Sequence, residues 1–306
     1  METIIRMLEI ALPVFITLAI GMICRKRNIL TRDGIRMIKT IAVNICLPFM
    51  LFTSFATVSY TAGSLAIPLT IYLLCVLSML LAYAAMKVFK GFTRLTPFLC
   101  SSYEAGMLGF ALFPLLFRGQ SNSALAIIVL GQELFIFTIY KALINGGSGG
   151  VKRILADAAK SPVLIAIFLG IIAGVTGLYD ALGSIGLSGV VEATSSFVSA
   201  PASVLILITM GYDLVPSEIR WKKTAAVVSL RLAIQALLLC AALLINKLLL
   251  RDAMHVGALV LMFILPPAYV VQVFADAEDE RTDISSVLSV TTLISIALFI
   301  VMAAVM

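Results

Sequence analysis

Eight of the ten prolines fall into four pairs that recur at nearly constant spacing. Pro13, Pro48, Pro68 and Pro114 return as Pro162, Pro201, Pro216 and Pro266, at offsets of 149, 153, 148 and 152 residues. The second half of the chain therefore reads as a displaced copy of the first. Local text agrees: Pro13-Val14 precedes Gly21 across an apolar stretch, as Pro162-Val163 precedes Gly170. Matched prolines in two hydrophobic halves point to a membrane protein built from repeats, with broken helices meeting near the bilayer middle.

The rest of the composition puts those halves in lipid. The chain is 61% hydrophobic and 12% charged, with a mean hydropathy of +1.12, whereas a water-soluble domain carries about 25% charged residues. Apolar stretches of about 20 residues, the length needed to span a bilayer, can be drawn ten times. They cover 4–24, 35–57, 64–86, 97–117, 122–144, 162–179, 185–213, 223–249, 255–275 and 284–306. The first is not a cleaved signal, because Arg25, Lys26 and Arg27 follow its apolar run instead of preceding it. The net charge of +6 does not indicate nucleic acid, since the Lys and Arg residues sit in short loops instead of on one face. Cys24, Cys46, Cys75, Cys100 and Cys240 lie within or at the ends of apolar segments without CxxC spacing. They read as free packed thiols, with no metal site, cofactor or disulfide frame implied.

Alternate loops carry 17 Lys and Arg residues on one side and 4 on the other, with Arg231 inside a span. By the positive-inside rule, both termini are expected outside the cytoplasm, in a multi-pass protein of a bacterial cytoplasmic membrane. Five spans per half is an odd number, so the second copy enters from the opposite side. The expected fold is an all-α polytopic membrane protein of ten helices, arranged as two inverted five-helix repeats over 1–144 and 162–306. The intervening segment 145–161, opening on Asn145-Gly146-Gly147-Ser148-Gly149-Gly150, is flexible by composition and is expected to be a cytoplasmic linker.

Two spans carry breaks. In the fourth, Glu104, Gly106, Gly109 and Pro114 combine a carboxylate, two glycines and a missing donor; in the ninth, Pro266-Pro267 deletes two donors in succession. Carbonyls left open in this way are tolerated only inside protein or along a water-filled cavity. Spans 4 and 9 are therefore expected to cross around a site, with half-helix N-termini offering donors to an anion.

Asn44-Ile45-Cys46-Leu47-Pro48 followed by Phe52, Glu104-Ala105-Gly106-Met107-Leu108-Gly109, and Pro266-Pro267-Ala268 together resemble the auxin efflux carrier family of membrane transporters, over the whole chain. The resemblance implies the fold of the bile acid sodium symporters, with spans 1, 2, 6 and 7 as a scaffold and spans 3–5 and 8–10 as a moving transport domain. It also implies small organic anions as substrates, mono- or dicarboxylates, carried by alternating access and without enzymatic activity. Two departures stand out: Glu104 where members often have Asn, and Ala111 where they often have Pro.

A fixed carboxylate at Glu104 opposes an incoming anion. It lies seven residues into its span, where an ionised carboxylate is costly; a protonated one accommodates the anion, so a proton is favoured over sodium as the coupling ion. A vestibule or a basic partner would make the same residue merely structural. Glu133 in span five and Arg231 in span eight are a candidate ion pair. Asn44 and Gln272 complete the candidate substrate or ion site, while Thr194, Ser195, Ser196 and Ser199 read as helix packing. The nearest alternative is a sodium-coupled symporter, with Glu104 and Gln272 as ion ligands. A channel or receptor on the same scaffold is a further alternative, and a homodimer through the scaffold spans is open. An intramembrane serine protease would use Gly186-Leu187-Ser188-Gly189 with His255, the only histidine, but leaves the repeat unexplained.

Overall fold

The computed structural model describes residues 2–89, 91–144, 160–214, 221–271 and 281–305. Nearly the whole of the expected linker and Gln272 lie outside these residues. Among the described residues the protein is helical, without a strand. Seven helical stretches are long and apolar enough to cross a membrane, or eight if Pro162–Val175 and Leu178–Ser184, bent by 66°, count as one.

The chain opens with α1, Glu2–Lys26, a single 25-residue helix. Thr31 caps α2, Arg32–Ile41, by accepting from the Gly34 N–H. A π-helical turn, Ala42–Cys46, leads into α3, Leu47–Ala56, with Pro48 in its first turn. The three run on as one helical span, Arg32–Ala56, and the π turn places its extra residue just ahead of Pro48, where a regular α ladder would lose a donor. A long α4, Ala62–Val88, precedes the short α5, Thr96–Cys100. After the break come a π turn, Ala105–Gly109, and α6, Phe110–Leu116. The next span is α7, Ser123–Phe135, a third π turn, Ile136–Tyr140, and α8, Lys141–Ile144.

In the second half, Ser161 caps α9, Pro162–Val175, whose first residue is the proline. Gly177, at φ +68°, turns the chain into α10, Leu178–Ser184. Two helices, α11 (Ser188–Ser199) and α12 (Ala202–Asp213), share the next stretch, divided at Ala200-Pro201. They are followed by α13, Trp221–Leu248, then α14, Val256–Ile264, and α15, Arg281–Val305. The expected ninth span is thus a nine-residue helix that stops ahead of Pro266-Pro267.

Apolar residues occupy both faces of α4. Ile67, Ile71, Leu74, Cys75 and Met79 are buried, while Leu65, Leu69, Leu73, Leu77 and Leu80 form an exposed stripe. A helix apolar all round belongs in lipid or a protein core, not in water. With hydrocarbon on one side, helix association relies on close backbone approach at small residues. A Cβ at Gly21 of α1 would stand 2.1 Å from the Ile208 carbonyl of α12, and one at Gly170 of α9 would stand 2.6 Å from the Phe52 carbonyl of α3. The two glycines, 149 residues apart like Pro13 and Pro162, each dock the opening helix of one half onto a helix of the other.

Candidate functional site

The expected break in span four lies four residues earlier than its glycines suggest. Helix α5 ends at Cys100, and Ser101–Glu104 runs non-helical before the Ala105–Gly109 turn. The break is held by donors to the carbonyls of Phe98, Leu99, Cys100 and Tyr103. Phe98 O accepts from the Ser102 hydroxyl at 2.9 Å, and Cys100 O accepts from the Ser78 hydroxyl at 2.9 Å and from Gln235 Nε2. Arg231, 2% exposed, donates to Leu99 O and, at 2.9 Å, to Leu265 O. One guanidinium therefore closes the cut ends of α5 and α14 together. Its carbon lies 5.4 Å from the centre of the Tyr103 ring. Gln132 Nε2 donates to Tyr103 O at 2.7 Å.

The two breaks touch directly. The Glu104 N–H donates to Pro266 O at 2.8 Å, the Ala268 N–H to the Ser102 hydroxyl at 3.3 Å, and the Tyr269 N–H to Glu104 Oε2 at 2.5 Å. Gly109 allows the approach, since a Cβ there would sit 3.0 Å from Leu265 Cδ1. Pro266 and Pro267 are buried at the crossing.

Beside it lies a cavity of about 570 Å³. All three π turns border it, through Val43 and Asn44, Gly106 and Met107, and Ile136 and Phe137. Extra-residue turns of this kind are frequent at functional sites. Glu104, Gln132 and Glu133 line it together with Arg36, Lys39 and Ser161. Lys39 pairs with Asp213, at the end of α12, and its Nζ stands 5.5 Å from the centre of the Tyr269 ring. A carboxylate ligand entering the cavity would meet basic groups first and Glu104 at the crossing.

Of the candidate residues, Asn44, Glu104 and Gly106 line this cavity, and Gly109, Pro266 and Pro267 build the crossing behind it. Pro114 does neither: it lies inside α6 with its ring exposed. Arg231 does not pair with Glu133, because its guanidinium is committed to the Leu99 and Leu265 carbonyls, and Glu133 instead faces the cavity half-buried. His255 caps α14, its Nδ1 accepting the Ala258 N–H at 3.0 Å, with its ring packed on Phe113 and Phe117. Thr194 and Ser199 bond back to carbonyls of their own helix, as packing residues do. Lys39, Arg36, Gln132 and Tyr269 are site residues that sequence reasoning missed. The only signal was the charge of Arg36 and Lys39 just ahead of the Asn44 motif, which topology alone had accounted for.

Helices apolar enough to span, broken at a crossing that borders a largely apolar cavity with charged groups in its lining, define a multi-pass integral membrane protein of transporter type. A family model described as membrane transport protein matches residues 7–154. Over that stretch, just under half of its length, the chain is similar to the membrane transporters of the auxin efflux carrier family, the family its motifs resemble. No curated protein matches the chain.

Proposed function

We propose that the protein is a secondary transporter of small carboxylates that works by alternating access and is coupled to protons through Glu104. The observation that carries this is the Glu104 carboxylate, which faces the cavity while accepting the Tyr269 N–H. That amide opens the second half of the broken span, so the ionised side chain occupies the donor a substrate anion would otherwise take. Protonation removes the charge, frees the Tyr269 N–H and lets the carboxyl donate to the substrate. Release of the proton on the less acidic side restores the internal contact and expels the anion.

Ten spans in two inverted repeats suit this cycle. The reciprocal docking of α1 on α12 and α9 on α3, through equivalently spaced Gly21 and Gly170, is what a two-fold relation between the halves requires. Those helices would be the scaffold, and the crossing segments with their neighbours the moving part. Charge asymmetry puts the termini outside the cytoplasm and the cavity mouth, with Arg36 and Lys39, inside.

The test is uptake into proteoliposomes under a pH gradient. Glu104→Gln mimics the protonated form: it should keep carboxylate binding and lose both pH dependence and accumulation. If the Gln variant still concentrates substrate in response to a pH gradient, Glu104 is not the coupling group. If a sodium gradient alone drives wild-type uptake, coupling is to sodium.

A further inference from the structure

The charges lining the cavity are sorted by depth. The Arg36 side chain is 82% exposed and that of Lys39 32%, whereas Glu104 and Gln132 are 5% and 1% exposed as residues. Arg36 thus stands at the mouth and Glu104 and Gln132 at the floor, with Lys39 and Glu133 half-buried between them. Gln132 adds an independent feature. Its Nε2 donates to Tyr103 O at 2.7 Å, which fixes the amide orientation and leaves Oε1 as an acceptor. That Oε1 is buried and has no hydrogen-bond partner among the described residues. A buried polar atom without a partner is destabilising by about 1–3 kcal/mol, so it calls for a donor from the cavity.

Glu133, adjacent in sequence, lines the same cavity half-buried and forms no ion pair among the described residues. Glu104 uses Oε2 on Tyr269, and the Met107 N–H also faces its carboxylate. Gln132 Oε1 and the adjacent Glu133 carboxylate therefore offer acceptors of net negative charge to an ammonium, which carries three donors. Leu47, Met107, Ile136 and Phe137 make the wall between floor and mouth apolar. A lone inorganic cation would satisfy the floor but leave the mouth and most of about 570 Å³ unused.

We infer that the substrate is an amino carboxylate, held with its carboxylate toward Lys39, Arg36 and the Tyr269 N–H and its protonated amine on Gln132 and Glu133. The inference rests on the carboxylate-transporter reading and narrows its substrate. Lys39 keeps donors for a ligand beyond the one given to Asp213, and among the described residues Arg36 pairs with the exposed Asp33 alone, at 3.6 Å.

Titration calorimetry on the purified full chain in detergent tests it with matched pairs: 5-aminopentanoate against pentanoate, and leucine against 4-methylpentanoate, with sodium chloride alone as a third arm. In at least one pair the amino member should bind at least tenfold more tightly, and Glu133→Gln should shrink that ratio to about threefold or less. Equal or tighter binding of both desamino acids overturns the inference and leaves the carboxylate-transporter reading intact. Absence of binding by all four overturns both. A sodium response abolished by Glu133→Gln replaces the ammonium with a cation site, and an unchanged ratio in that variant overturns the floor assignment. The wild-type comparison decides by itself if the variant fails to fold.

Discussion

Arg231 is the residue whose removal should do most damage at a distance from any ligand. Arg231→Met keeps the apolar stem and deletes the guanidinium that donates to Leu99 O and Leu265 O. Both carbonyls belong to helix ends that the breaks leave open, and no water from lipid can replace the lost donor. At about 1–3 kcal/mol for each unsatisfied buried group, the loss is about 2–6 kcal/mol. The Tyr103 contact at 5.4 Å adds about 0.5–2 kcal/mol. Against this, a buried cation carries its own desolvation penalty of several kcal/mol, which Met relieves. We expect a net destabilisation of about 2–4 kcal/mol after that offset. Unfolding by sodium dodecyl sulfate in dodecyl maltoside micelles, followed by circular dichroism, measures it. Gln235, which donates to the neighbouring Cys100 O, supplies a double-mutant cycle with Gln235→Leu. Coupling of about 0.5–3 kcal/mol marks one cooperative network. If Arg231→Met lies within about 0.5 kcal/mol of wild type, as an ordinary surface substitution would, the guanidinium is not what closes the breaks.

Gly21→Leu and Gly170→Leu should each lower the yield of folded monodisperse protein in size-exclusion chromatography, since even a Cβ meets backbone oxygen at 2.1 Å and 2.6 Å. Gly106→Ala, with nothing within 4 Å of the added carbon, should elute like wild type. A single cysteine placed at Ser148 should react with a membrane-impermeant maleimide only after cells are opened, and labelling of intact cells would reverse the proposed orientation. Asp213→Asn should tighten carboxylate binding several-fold by calorimetry, because Lys39 loses its competing partner; unchanged affinity would remove Lys39 from the site.

Helical class and the crossing were legible because they depend on local chemistry. Pro266-Pro267 lacks two donors wherever it is placed, and Gly109 permits the contact with Leu265. The exact break at Ser101–Glu104 was not legible. Its carbonyls are satisfied by Ser78, Arg231 and Gln235, residues from 22 to 135 positions away, and no pattern along the chain announces such partners. Pro114 misled for the converse reason. Proline marks a missing N–H, not a direction, and Pro13 and Pro68 likewise sit inside uninterrupted helices. Arg231 and Glu133 were matched as opposite charges in apolar spans, yet a guanidinium with five donors is better satisfied by two fixed carbonyls than by one carboxylate at a cavity edge.

Glu104 departs from the amide often found at its place in the resembling family, and the crossing gives the departure a physical sense. The break creates an unpaired amide at Tyr269, and a carboxylate accepts from it more strongly than an amide oxygen would. Ionised Glu104 therefore stabilises the crossing without ligand, at the expense of anion affinity; an Asn there would leave the donor open to substrate at every pH. On this logic Glu104→Asn should bind carboxylates more tightly than wild type at alkaline pH and equal it at acidic pH. The same substitution makes binding and proton uptake independent, so the variant would equilibrate substrate across the membrane but not concentrate it.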